Sequence, residues 1–192
     1  MGKLAYGFTA SLDGFIAGPG HDMSFLGDVP PSDPDPAADP QLEKLAAAVG
    51  VIISGRAGYD AARAQAGERD ELTSEAYGGK WSGTEIILTH RPEELAGDPS
   101  VLALDIDVRE AIRRAQEIAG EKDVQIISAD IARQAIEHGL VDELQVWTAP
   151  VFLGDGTRIF AVPGGRRVRW EPAGTIGTDP QTCGRLYRPR HD

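Results

Sequence analysis

Apolar residues along this chain alternate between two spacings. Leu4 to Ala10, Val51-Ile52-Ile53-Ser54, Glu85-Ile86-Ile87-Leu88-Thr89, Val124 to Ser128 and Glu143 to Ala149 read as strands, those at 51 and 85 being short apolar runs typical of buried parallel strands. Between them the period lengthens to that of a helix. Asp39-Pro40 offers an N-cap and an N1 proline, after which Leu42, Leu45, Ala46 and Val49 share one face until Gly50 closes the segment. Asp107 and Glu110 form a D-x-x-E cap ahead of Val108, Ala111, Ile112, Ala115 and Ile118, and Gly120 ends that helix. After Ser128, the residues Ile131, Ala135 and Ile136 again keep helical spacing up to Gly139.

Three βα units in succession predict an α/β fold with a doubly wound, mostly parallel sheet and right-handed crossovers. Beyond Val151 the helical period stops. Thr157 to Phe160, Arg167 to Glu171 and Cys183 to Arg188 are short β-like runs, expected to complete the sheet as antiparallel strands. Gly18 to Asp39, with PPSDPDPAADP inside it, carries too many prolines for an inner strand or a helix, and 67–83 is a second polar connection with Tyr77 and Trp81. The acids Asp33, Asp35 and Asp39 lack the glycine and distal glutamate of a calcium loop, so a solvated loop is expected there.

Composition narrows the function. At 192 residues the chain fits a single domain, 1–192, that buries about 70% of its unfolded surface. Thirty acidic against 19 basic residues, a formal net charge of −11, argue against a nucleic-acid or anionic-membrane binder. No apolar window reaches the length of a membrane span, MGKLAYGFTASLDG lacks a signal-peptide core, and the single Cys183 forms no internal disulfide, which together suggest a cytoplasmic protein. G-x-G-x-x-G after a strand, G-x-x-x-x-G-K-[ST] and G-x-S-x-G are all missing, and His21, His90, His138 and His191 have no ligand spacing, so no metal site is expected.

What remains is a set of turns following the strands: Ser11-Leu12-Asp13-Gly14, Ser54-Gly55-Arg56, Thr89-His90-Arg91 and Ser128-Ala129-Asp130. Ligands of doubly wound sheets bind at such carboxyl ends. Together, FTASLDGFIAGPGHDMSFL, VIISGRAGYDA, ILTHRP and ARQAIEHGLVDELQVWTAPVFLGDGTRIF resemble the dihydrofolate-reductase-like superfamily over nearly the whole chain. The branch they are most similar to is the reductase that forms the C-terminal domain of the bifunctional riboflavin-biosynthesis deaminase–reductase. The resemblance implies NADPH as cofactor, direct hydride transfer to a pteridine, a ribosylaminopyrimidine or a related small-molecule substrate, and a homodimer packed through late strands.

It also implies roles. Thr9 and Ile16 match positions whose backbone meets the nicotinamide carboxamide, and the loop 14–23 would close over the ring. Gly55 and Arg56 match a phosphate turn at a helix N-terminus, with Gly58 where relatives often carry a hydroxyl residue. Thr89, His90 and Arg91 match the cradle of an adenosine 2′-phosphate, which would favour NADPH over NADH; the plain alternative for Arg56 and Arg91 is solvated surface charge.

Ser128, Ala129, Asp130, Ile131 and Ala132 match the pyrophosphate loop, but Ala129-Asp130 stands where the family generally has Gly-Gly. Asp130 is a favourable N-cap type, able to take the N–H groups a phosphate would use. Two like charges ~4 Å apart at an effective dielectric near ~20 repel by about 4 kcal/mol. Two classes are therefore open: a reductase with altered dinucleotide binding, or a non-catalytic binding protein that kept the fold and lost the cofactor. Asp13 is the candidate proton donor, with a plain Asx turn as its alternative.

Overall fold

The computed structural model describes residues 2–29, 40–66, 77, 80–177 and 184–190. The loop acids Asp33, Asp35 and Asp39, the thiol of Cys183 and His191 lie outside the described residues. The strands are β1 Leu4–Ala10, β2 Phe15–Ala17, β3 Val49–Gly55, β4 Thr84–Leu88, β5 Val101–Leu104, β6 Asp123–Ile126, β7 Glu143–Thr148, β8 Thr157–Arg158, β9 Trp170–Ile176 and β10 Gly184–Pro189. Among the described residues four α-helices accompany them: α1 Pro40–Ala48, α2 Arg56–Ala66, α3 Val108–Ala119 and α4 Ala129–Glu137.

Eight strands form one sheet in the order β5-β4-β3-β6-β1-β7-β10-β9. The first six in that row run parallel, and β10 pairs antiparallel with both β7 and β9. This is the α/β architecture expected from the βα repeats. Alternation along each strand sorts its side chains between two faces. Leu4, Tyr6, Val51, Ile53, Ile86, Val124 and Ile126 pack with Val108, Ile112 and Ala115 of α3 and Ile131, Ala135 and Ile136 of α4. Ile87 faces the other way, onto Tyr59 of α2 and Leu95. The helix after β3 and the helix after β6 therefore cover opposite faces.

Local chemistry explains where the helices stop. Asp107 caps α3 by accepting from the Glu110 amide, and Gly120 follows with φ 64°. Past α4, Gly139 takes φ 67° while the Leu140 amide reaches back to the Ala135 carbonyl at 3.0 Å.

Several boundaries differ from the sequence reading. Gly50 does not close α1, because the helix ends at Ala48 and Gly50 lies inside β3. A Cβ there would stand 3.1 Å from the Ala119 Cβ, so Gly50 is where the end of α3 crosses the strand. Thr157–Arg158 does not extend the main sheet but pairs with β2 in a separate ribbon, and β9 starts at Trp170 rather than Arg167. β2 and β5, of three and four residues, are too short to show a period.

The ribbon fixes the loop that follows β1. Gly156 has φ 135°, and a Cβ on it would stand 2.0 Å from the Ala17 carbonyl oxygen. Both the dihedral and the contact require glycine. Gly156→Ala is expected to cost about 2 kcal/mol of stability, read as a lower urea midpoint.

Candidate active site at the carboxyl ends of the strands

All four turns lie along one edge of the sheet, since β1, β3, β4 and β6 run parallel. Their order along that edge is β4, β3, β6, β1. With adjacent strands ~4.8 Å apart, Thr89-His90-Arg91 and the β1 turn are separated by roughly 15 Å. Gly55-Arg56 and Ser128-Ala129 lie between them, on the pair of strands whose helices leave to opposite faces.

At that central pair the two turns touch. A Cβ on Gly55 would meet Ser128 Oγ at 3.2 Å and Ile131 Cδ1 at 3.8 Å, so the missing side chain keeps the junction open. Ser128, not Asp130, is the N-cap of α4, in extended conformation and with no side-chain hydrogen bond across the cap. The Ala132 amide is the first to find a helical partner, bonding to the Ser128 carbonyl at 2.9 Å. By helix geometry the amides of Ala129, Asp130 and Ile131 precede the ladder and point out along its axis.

Of the two arrangements left open for Asp130, the plugged one is not adopted. Its side chain is 68% exposed and lies along the helix surface, accepting from Arg133 Nη2 at 2.7 Å and from Gln134 Nε2 at 2.8 Å. At the second helical position an acid can bond to residues three and four ahead, and this one does. Arg133, which also holds Glu137, offsets part of its charge, so the repulsion is weaker than from an unpaired carboxylate. Ile131 and Ala132 are buried against the sheet.

The β3 and β4 turns share one acid. Arg56 opens α2 and holds both Asp60 oxygens from Nε at 2.8 and 2.9 Å, while its Nη1 donates to Glu94 Oε2 at 2.8 Å. Arg91 Nη1 donates to the other Glu94 oxygen at 2.8 Å. Neither guanidinium is simply solvated. Thr89 Oγ1 accepts from the Arg91 amide at 3.2 Å, and the His90 ring stands 3.0 Å from Asp105 in open solvent. Asp60 and Glu94 were missed from the sequence. Their i+4 and i+3 offsets from Arg56 and Arg91 are legible, whereas the contact between Arg56 and Glu94 is made only by the fold.

At the far end, Asp13 is held on several sides. It accepts from Ser11 Oγ at 2.6 Å, from the Leu153 amide at 3.1 Å and from the Gly154 amide at 2.7 Å. The Ser11 hydroxyl first, and then these amides, lower its carboxyl to about 2, so at neutral pH it is an acceptor with no proton to release. Its contacts are those of a turn that ties the end of β1 to the 153–154 loop. Thr9 is half-buried at the end of β1, and Ile16 sits between the two paired residues of β2. An apolar cavity of about 230 Å³ between Tyr6, Phe8, Ile136 and Trp170 lies on the α4 face, and no residue of the four turns lines it.

The comparisons with known proteins agree with this geometry at the level of fold. A protein from Shewanella sp. PV-4, described as a riboflavin-biosynthesis protein, superposes with a TM-score of 0.73 at 18% identity, covering 98% of this chain and 99% of that one. Dihydrofolate reductase from Enterococcus faecalis, complexed with NADP(H) and RAB-propyl, gives 0.61 at 18% identity over 98% and 97%. The Thermotoga maritima diaminohydroxyphosphoribosylaminopyrimidine deaminase/5-amino-6-(5-phosphoribosylamino)uracil reductase gives 0.63 at 13% identity, and this chain, 98% covered, spans 57% of its length. No curated protein matches the sequence significantly. The architecture is that of the dihydrofolate-reductase-like reductases. The model of the RibD C-terminal domain matches residues 3–183, and the chain belongs to that family.

The hydrogen bonds of Asp13 carry a pH signature. A carboxyl whose folded pKa lies near 2, below its ordinary 3.8, contributes fully above about pH 4 and loses that contribution as pH falls towards 2. Amide exchange at Leu153 and Gly154, corrected for intrinsic rates, is expected to show constant protection across neutral pH and loss of protection over that acid range. Asp13→Ala is expected to leave both amides weakly protected at every pH.

Proposed function

We propose that this protein is a reductase that takes hydride from a nicotinamide dinucleotide and delivers it to a heterocyclic, pyrimidine- or pteridine-like substrate. Family membership supports the reductase class. One observation carries the proposed placement of the cofactor: the uncapped start of α4 lies beside the glycine at the end of β3, between a pair of guanidiniums on one side and the β1 turn on the other. A dinucleotide laid along this edge would put its pyrophosphate at the Gly55–Ser128 junction, where amides and a helix dipole favour negative charge and Gly55 carries no Cβ. Its adenosine end would reach Arg56, Thr89, His90 and Arg91, and its nicotinamide would reach Thr9 and Ile16.

The bound cofactor supplies the hydride. The protein's own residues orient and enclose it: Asp13 and Gly156 pin the 153–156 loop and the β2 ribbon around the first turn, which keeps water from the transfer site. With Asp13 ionised, the proton for a reduced nitrogen has to come from water or from the substrate's surroundings. The non-catalytic reading drew on Ala129-Asp130; the Asp130 carboxylate is turned away along the helix, while the Ala129 methyl stays at the junction. NADPH is the form the resemblance implies, whereas the proposal itself names only a nicotinamide dinucleotide; cytoplasmic location and a homodimer packed through the late strands are proposed with it. Sedimentation of the purified chain tests the dimer.

Titration with NADPH and NADH, followed by cofactor fluorescence, is expected to show saturable binding, with Arg56→Ala weakening it about tenfold. Absence of saturable binding for either cofactor at millimolar concentration would end the reductase reading. Gly58 lies on the first turn of α2 with nothing within 4 Å of a Cβ, so Gly58→Ser restores the family's hydroxyl without a clash. That variant is expected to gain about 0.5 kcal/mol of stability and to bind the dinucleotide several-fold tighter.

A further inference from the structure

Resting on the nicotinamide reading above, we propose that Glu94 sets the cofactor preference of this chain: it occupies the place of the adenosine 2′-phosphate and selects the unphosphorylated dinucleotide. Glu94 stands between two guanidiniums and gives one oxygen to each, at 2.8 Å from Arg56 Nη1 and 2.8 Å from Arg91 Nη1. Two arginines converging on two oxygens of one anion is the arrangement by which proteins grip a phosphate. Here the anion is the protein's own.

The neighbourhood has no positive charge to spare. Asp60 takes the Nε edge of Arg56 with both oxygens, and Asp105 stands beside the His90 ring. Two arginines thus face two carboxylates, Asp60 and Glu94, with Asp105 beyond them at the His90 ring, in a chain whose formal net charge is −11. A 2′-phosphate would have to displace Glu94 from both arginines or bind beside a like charge.

A ribose without the phosphate presents the opposite chemistry. Its 2′-hydroxyl donates a hydrogen bond, and an acid at this place accepts it, which is how dinucleotide sites favour NADH. Glu94 is 37% exposed and Arg91 72%, so the ribose has access to the carboxylate without any rearrangement of the core. The turn that suggests a phosphate cradle in the sequence is thereby read as a site for a diol.

The test separates the 2′-phosphate from the rest of the cofactor. Wild-type protein, Glu94→Gln and the double variant Glu94→Gln/Arg91→Ala are titrated calorimetrically with adenosine 2′,5′-bisphosphate and with adenosine 5′-monophosphate, and by fluorescence with NADPH and NADH. Glutamine keeps the shape and removes the charge. Glu94→Gln is expected to bind the bisphosphate about tenfold tighter and the monophosphate no tighter, and the double variant is expected to lose the gain. Equal changes for the two nucleotides, or none for either, overturn the proposal. Should the bisphosphate gain appear while neither NADH nor NADPH binds, the role of Glu94 stands and the reductase reading falls. Should NADH bind and be oxidised while the ratio of the two nucleotides is untouched by Glu94→Gln, the reverse holds.

Discussion

A parallel sheet wound in two directions has one place where neighbouring strands send their helices to opposite faces, and there the edge cannot be closed by crossover segments. In this protein that place is the junction of β3 with β6. The chain goes outward from β1 through β3, β4 and β5, then returns to insert β6 between β3 and β1. α2 therefore leaves β3 onto one face and α4 leaves β6 onto the other, and at the end of β3 between them Gly55 has no side chain. The absence of a side chain at Gly55, the extended Ser128 and the unladdered amides of Ala129 to Ile131 are the local form of this topological gap. The placement of the site follows from strand order before any functional residue is considered.

Much of this was legible in the sequence because period and capping are local properties. The apolar runs, the D-x-x-E cap of α3 and the glycines after α3 and α4 each act within a few residues, and each appears where its spacing put it. The errors came from contacts between distant segments. Gly50 reads as a helix stop, yet what demands glycine there is the approach of Ala119, about seventy positions away. Thr157–Arg158 reads as one more sheet strand, yet its partner is the short β2.

The same division runs through the site. Residue positions were readable, since a turn after a strand lies at a carboxyl end whatever its side chains do. The state of each charge was not. Asp130 has the composition of a cap, but residues three and four ahead offered it a guanidinium and an amide, so the cap remained open. Asp13 has the composition of an acid catalyst, but Ser11 and two loop amides stabilise its ionised form. In both cases partner geometry, not residue type, settles what the carboxylate does.

Backbone amides suit an anion site in an acidic protein better than arginines do. A guanidinium on such a surface finds carboxylates of its own chain, as Arg56 finds Asp60 and Glu94, Arg91 finds Glu94 and Arg133 finds Asp130 and Glu137. Each such pair removes a charge from service. The opening amides of a helix can be claimed only by a group at its very start, and here the side chain at the cap makes no such bond. Beyond the Debye length of ~8 Å at physiological salt the remaining negative charge of the chain is largely screened. A diphosphate at the β3–β6 junction would thus be held by dipoles that the protein's own acids have not consumed, while recognition at the adenosine end is left to a network already balanced without it.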